Sequence, residues 1–175
     1  MNHVDCINLI KGGVSSGRQV WAEFGSGNGA FTLALAELIA TDGTIYSVDL
    51  DSGALNQQKK QMEKQFPDLE VHYKTADFTK PIDLPKFDGI LMANALHFVK
   101  GKESFISKIK DYIQPEGQLL IVEYNIDRGN RWVPYPISLE SWKVLAKKCG
   151  FHEIRFLGKV PSRYHKEVYS AVSFL

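Results

Sequence analysis

Two cysteines, Cys6 and Cys149, are all that the chain contains, and they stand far apart. That scarcity argues against a disulfide framework and against a zinc site, and it fits a reduced, cytoplasmic setting. Long apolar runs are also missing: nothing approaches the roughly 20 residues needed to span a bilayer. The amino end, MNHVDCINLIKGG, is interrupted by Asp5 and Asn8 and so lacks the uninterrupted core of a signal peptide. An excess of charge is absent too, with 21 basic residues against 20 acidic ones. No global field therefore draws the chain to nucleic acid or to an anionic membrane, although a local basic patch stays open. The pairs and clusters near Lys59 and Lys147 have the spacing of solvated helix faces. Internal repeats and low-complexity linkers are likewise missing.

What is there suits a single folded domain over residues 1–175, of which residues 1–18 form a short helix and a turn. The 44% hydrophobic and 23% charged content is that of an ordinary soluble globular protein with a sizeable core. Five β-like runs alternate with amphipathic segments: QVWAEF from Gln19, TIYSVDL from Thr44, LEVHYK from Leu69, FDGILMA from Phe87 and GQLLIVEY from Gly117. Such alternation predicts a parallel sheet covered by helices, and consecutive apolar residues predict strands buried on both faces. Between them Phe31, Ala34, Leu35, Leu38 and Ile39 recur at helical spacing, as do Leu55, Met62 and Phe66. Phe105, Ile106, Ile109, Tyr112 and Ile113 form another such stripe. A further helix is expected from an N-cap at Ser138 to a stop at Gly150. The last two β-like runs, FHEIRFLGKV and KEVYSAVSFL, leave no room for a crossover helix and should pair as an antiparallel hairpin around PSRYH.

The first strand runs into EFGSGNGAF, where Gly25, Gly27 and Gly29 lead to a helix. A strand turning into a helix through glycines brings backbone N–H groups close to a ligand, which is the geometry of a nucleotide site. No Gly-Lys-Ser or Gly-Lys-Thr follows, so a P-loop is excluded. Gly25, Gly27 and Ala30 do satisfy the dinucleotide form G-x-G-x-x-A, and Asp49 lies near the position of a ribose-binding acid. Two features favour another ligand. Glu23 places an acid where a pyrophosphate would be repelled and a cationic amino group stabilised. The closing hairpin replaces the second mononucleotide half that a dehydrogenase would continue with.

The chain here resembles the class I S-adenosylmethionine-dependent methyltransferases, and nearly its whole length takes part. EFGSGNG is similar to their first motif, SVDLD to the acidic end of the second strand, and TADF to the adenine-contacting segment. FDGILMANALHFV resembles the fourth-strand motif and IQPEGQLLIVEY the approach to the fifth strand. The resemblance implies an α/β three-layer Rossmann-like sandwich with a mostly parallel seven-stranded sheet in the order 3-2-1-4-5-7-6. It implies S-adenosylmethionine as cofactor, S-adenosylhomocysteine as product, and transfer of the methyl group to a small molecule. Gly25, Ser26, Gly27 and Gly29 would pass beneath the methionine part, and a valine at Gly27 would clash in the loop. Glu23 would help bind the amino group, Asp49 the ribose hydroxyls, and Leu50 would lie against adenine or ribose. Asp77 would accept from the adenine amine, with the backbone of Phe78 at a ring nitrogen. As an alternative, Asp77 is a loop cap before Pro81, whereas Asp51 is expected to cap the following helix. Asn94 would meet the methionine moiety.

His97 is the candidate catalytic residue, because an imidazole can take a proton near neutral pH; packing within a helix is its alternative role. A base is needed only for an acceptor that arrives protonated. The His and acidic residues show no metal-ligand spacing, so no metal is expected. Substrate loops are expected after the fifth strand and in the hairpin turn. They offer Tyr124, Arg128, Trp132, Tyr135, Arg163 and Tyr164 for a planar or anionic molecule, unless Trp132 and Tyr135 only pack the loop onto the sheet. A thin amino-terminal lid would suit a small acceptor reaching an open cleft in a monomer, or a homodimer in which a second subunit covers it. Nucleic acid is not an expected partner. A non-catalytic cofactor-binding module and an NAD-dependent oxidoreductase are the competing readings.

Overall fold

In the computed structural model, which describes residues 1–15, 17–39, 41–162 and 164–175, seven strands form one sheet. Their spans are β1 (Val20–Phe24), β2 (Thr44–Asp49), β3 (Glu70–Thr75), β4 (Phe87–Ala93), β5 (Ile113–Tyr124), β6 (Glu153–Pro161) and β7 (Glu167–Phe174). The spatial order is β3-β2-β1-β4-β5-β7-β6, as the resemblance implied. The first five strands pair parallel, while β7 runs antiparallel to both β5 and β6. The carboxyl ends of β1, β2, β4, β5 and β6 therefore share one edge.

The helices are α1 (His3–Ile10), α2 (Ala30–Leu38), α3 (Ser52–Gln65), α4 (Lys102–Ile109) and α5 (Leu139–Lys148). The period of two along β5 shows how they divide into layers. Leu119 and Ile121 join a core with Phe105, Ile106 and Trp142 from α4 and α5. Leu120 and Val122 face a second core with Leu9, Phe31, Leu35 and Met62 from α1, α2 and α3. Both faces of the central strands are thus dry, which is why those strands read as continuous apolar runs.

Cap chemistry sets several boundaries. Ser138 accepts from the Ser141 amide at the start of α5, and Gly150 ends that helix region with φ 88°. Asp51 caps α3 by accepting from Gly53 and Ala54. The stripe ending in Tyr112 and Ile113 is corrected at its far end. Helix α4 stops at Ile109, a 3₁₀ turn covers Lys110–Tyr112, and Ile113 already pairs with Phe87 as the first residue of β5. An irregularity before Gly89 pairs with Gln118 absorbs the extra length, so β5 begins ahead of the expected Gly117.

Candidate functional site

The loop from Gly25 to Gly29 leaves β1 at the shared edge. Its first two amides, those of Gly25 and Ser26, both donate to the Val48 carbonyl at 2.8 and 3.2 Å. Gly25, Gly27 and Gly29 all have positive φ, at 80°, 52° and 83°, a region that costs other residues strain. Their surroundings differ. A Cβ on Gly25 would lie 2.6 Å from the Cβ of Ala95, and one on Gly29 would meet the Gln58 side chain, with Nε2 at 2.5 Å. A Cβ on Gly27 would find no protein atom within 4 Å. A first side-chain carbon at Gly27 thus meets no neighbour among the described residues, although a φ of 52° strains any side chain there, and the loop keeps open space at this one glycine.

Asp49, at the tip of β2, closes the loop from the other side. Its Oδ2 accepts from the Gly27 amide and its Oδ1 from the Asp51 amide, both at 2.8 Å. Leu50 beside it is exposed.

Below the loop lies a buried polar network that joins β1, β2, α2 and α3. Thr32 donates to Glu23, Gln58 Nε2 donates to Thr32 Oγ1 at 2.6 Å, and Gln58 Oε1 accepts from Ser47 Oγ at 2.6 Å. Ser47 also pairs with Ser26 Oγ at 2.7 Å, so the chain of bonds ends in the glycine loop itself. Burial pushes the Glu23 carboxyl up to about 8, against the opposing pull of the Thr32 hydroxyl and with the nearby Asp49 carboxylate adding to the rise. Sequence reasoning placed Glu23 and Ser26 here and missed Thr32, Ser47 and Gln58. Gln58 reads locally as one more polar residue of a solvated helix face.

Asp77 accepts from the Thr79 hydroxyl at 2.6 Å and the Thr79 amide at 3.0 Å, which, with Lys80 nearby, hold it below the usual carboxylate range. The capping role weighed for it is thus present in its own turn. The ring of Phe78 stacks on Phe24, with centroids 6.3 Å apart, and backs the Gly25 turn. Asn94 follows β4 with φ 52°, its amide donates to the Val122 carbonyl, and its Oδ1 is buried with no partner among the described residues. A buried acceptor left unpaired costs free energy unless a ligand or water meets it.

His97 sits in a 3₁₀ turn, Leu96–Phe98, and is 3% exposed. The fully buried Glu123, one residue from the end of β5, grips it twice. Oε1 accepts from the His97 amide at 3.0 Å, and Oε2 lies 2.8 Å from ring Nδ1. Glu123 was also missed, although a lone acid inside the apolar run LLIVEY was a readable signal.

A cleft of about 590 Å³ opens beside Asn94, between the start of α1 and the β6–β7 turn. Tyr124, Val160, Ser162 and Tyr164 line it, and Asp5 is the charged side chain among its described lining residues. Of the six candidate substrate residues, Tyr124 and Tyr164 reach this cleft. Arg128, Trp132 and Tyr135 belong to the loop outside its lining, and Arg163 lies outside the described residues. Trp132 does not pack the loop down, being 76% exposed, whereas the Tyr135 amide donates to the His97 carbonyl at 3.0 Å. Among the described residues no group of three His, Cys, Asp or Glu could hold a metal ion, and no helix is long and apolar enough to cross a membrane.

A family model for the methyltransferase domain matches residues 20–171. A 2-phytyl-1,4-naphthoquinone methyltransferase of Nostoc punctiforme is 26% identical over 100 residues, covering 57% of this chain and 44% of that protein. The chain spans less than half the length of the curated relatives it matches. Among solved structures, phosphoethanolamine N-methyltransferase 2 of Haemonchus contortus, in complex with phosphomonomethylethanolamine and S-adenosylhomocysteine, superposes with a TM-score of 0.78. It is 16% identical, and the match covers 98% of this chain and 52% of that one. The N-methyltransferase NodS of Bradyrhizobium japonicum, in complex with S-adenosylhomocysteine, gives a TM-score of 0.72 at 16% identity over 98% and 84% of the two chains. These structural likenesses establish the fold.

Proposed function

The chain belongs to the methyltransferase domain family, and from that premise we propose that it transfers a methyl group from S-adenosylmethionine to a small planar acceptor. The observation that carries the reading is the open space over Gly27, bordered by the Asp49 carboxylate at the sheet edge where open α/β folds collect ligands. The residues present fit the cofactor. Asp49 offers two acceptor oxygens for ribose hydroxyls, and the unpaired Asn94 Oδ1 awaits a donor. Glu23 acts from beneath, through the network that ends at Ser26, with the loop glycines leaving room for the methionine part. Asp77 and the Phe78 backbone are assigned to adenine, next to exposed Leu50.

When bound, S-adenosylmethionine supplies an electrophilic methyl group, so positioning provides much of the acceleration. The cleft lined by Tyr124 and Tyr164 would hold the acceptor, and its aromatic walls beside a single described carboxylate favour a planar, uncharged molecule over an anion. The relative named for a phytylated naphthoquinone supports that class. His97 is assigned as proton acceptor. Glu123 fixes the tautomer with Nδ1–H toward its carboxylate, which leaves Nε2 to take a proton from an acceptor hydroxyl, amine or activated carbon.

Calorimetry with S-adenosylmethionine and S-adenosylhomocysteine tests the reading directly. Binding of both is expected, and silence of both at millimolar ligand would overturn it. Incubation of a metabolite extract with methyl-labelled cofactor then separates an enzyme from a binding module, since a labelled product is expected only of the former.

A further inference from the structure

Three loops meet at the ligand edge and tie to one another. The loop between β5 and α5 reaches the 3₁₀ turn after β4 through the Tyr135 amide on the His97 carbonyl, and Lys102 Nζ adds bonds to the carbonyls of Val99 and Tyr135. The same loop reaches the β6–β7 turn through Asn130 Nδ2, 3.2 Å from His165 Nε2. Asn130 Oδ1 also accepts from the Trp132 amide, so the position of Trp132 is built in. Each of the three loops then turns an aromatic ring outward: Phe98 is 60% exposed, Trp132 76% and Tyr164 79%.

The charges on this rim are one-sided. Lys100, Arg128, Arg131 and Lys166 are exposed in these loops, against one exposed acid, Asp127. Among the described residues none of the four forms an ion pair, while Lys102 is turned inward onto carbonyls. Arg131 instead lies over the Trp132 ring, 5.8 Å from its centroid. In a chain with a net charge of +1, this gathers a cationic, aromatic face on the loops of the ligand edge, joined to the cleft through Tyr164.

We propose that this rim docks on an anionic lipid surface, with Phe98, Trp132 and Tyr164 entering the headgroup region. Amphipathic aromatic rings favour the boundary between water and acyl chains, and unpaired Lys and Arg are attracted to anionic headgroups. A nucleic acid would also attract the cations, but it offers no continuous apolar layer for rings exposed on three separate loops. Docking would bring the Tyr164 side of the cleft to the bilayer, where an apolar acceptor collects. The docking itself does not depend on the methyl-transfer reading.

The protein carries its own probe. Of its three tryptophans, Trp21 and Trp142 are fully buried and only Trp132 meets solvent, so a change in emission on docking reports from the rim. The intact chain is titrated with vesicles of phosphatidylcholine alone and with vesicles containing roughly one-third phosphatidylserine. A blue shift and co-sedimentation are expected with the second kind, weakening as salt is raised. Reversing Arg128 and Arg131 to Glu should reduce partition by about tenfold or more. Trp132→Ala should abolish the shift, and Trp132→Ala combined with Phe98→Ala should also weaken sedimentation, with far-UV circular dichroism unchanged in each variant. No sedimentation with either vesicle overturns the proposal. So does sedimentation that ignores these substitutions, or a blue shift produced by an oligonucleotide and not by anionic vesicles.

Discussion

Asp49 Oδ2 accepts the amide proton of Gly27 at 2.8 Å, across 22 residues of chain, so the end of β2 grips the one glycine of the loop that faces open space. The carboxylate assigned to the ribose is therefore also the clamp that shapes the floor of the cofactor site.

Asp49→Ala should leave the amides of Gly27 and Asp51 without their acceptor and remove the assigned ribose partner. Charge-assisted hydrogen bonds contribute about 1.5–3 kcal/mol each, so S-adenosylmethionine affinity is expected to fall by roughly tenfold to a hundredfold. Calorimetry measures it. An unchanged affinity would move the site away from β2.

Two glycine substitutions should separate in opposite directions. Gly27→Ala meets only the strain of a φ near 52°, roughly 1 kcal/mol, but puts a methyl group into the ligand's space. Gly29→Ala adds overpacking against Gln58, commonly about 1–3 kcal/mol, on top of similar strain. Urea unfolding and cofactor calorimetry on both variants form the check. Gly29→Ala should be the less stable and Gly27→Ala the weaker binder, and equal effects on both measures would contradict this division.

The Glu23 carboxyl should make stability depend on pH. It rises from 4.5 to about 8 on folding, so the folded chain holds a proton that the unfolded chain has released. Stability from this group is complete below about 4.5 and falls as pH climbs toward about 8, above which the loss is constant. Glu23→Gln removes the titration and keeps an oxygen for the Thr32 hydroxyl. Melting temperatures of the two proteins should diverge across that window, with the wild type losing ground toward high pH. Parallel curves would show that Glu23 does not titrate there.

Glu123→Gln tests the dyad without an identified acceptor. In the wild type the proton on His97 Nδ1, a nitrogen 2.8 Å from Glu123 Oε2, should be protected and visible by nitrogen-edited NMR. The variant should lose that signal while still binding S-adenosylmethionine. Once the acceptor is known, His97→Ala should lower turnover by about a hundredfold or more while cofactor affinity is kept. Turnover like that of the wild type would return His97 to holding its turn.

Much of the architecture was legible because its causes are local. Alternating β-like and helical runs, the cap residues Asp51 and Ser138, and the hairpin too short for a crossover each rest on neighbours within a few residues. The resemblance carried by EFGSGNG, SVDLD and NALHF supplied the strand order that periodicity could not. The far end of the α4 stripe misled because Ile113 is apolar in either setting. A helix and a buried strand need the same side chain there, and its pairing with Phe87 made it strand.

The sequence by itself determined that a glycine loop follows the first strand with an acid before it and another at the end of the second, because turn chemistry and burial patterns are written in short windows. Only the tertiary structure decided that Gly25 and Gly29 are closed by Ala95 and Gln58 while Gly27 stays open. It alone set Glu123 against His97 and joined Glu23 to Ser26 through Thr32, Gln58 and Ser47. The reason is physical. A polar side chain buried between layers takes its meaning from the partner that satisfies it, and that partner is chosen by which strands and helices become neighbours in space.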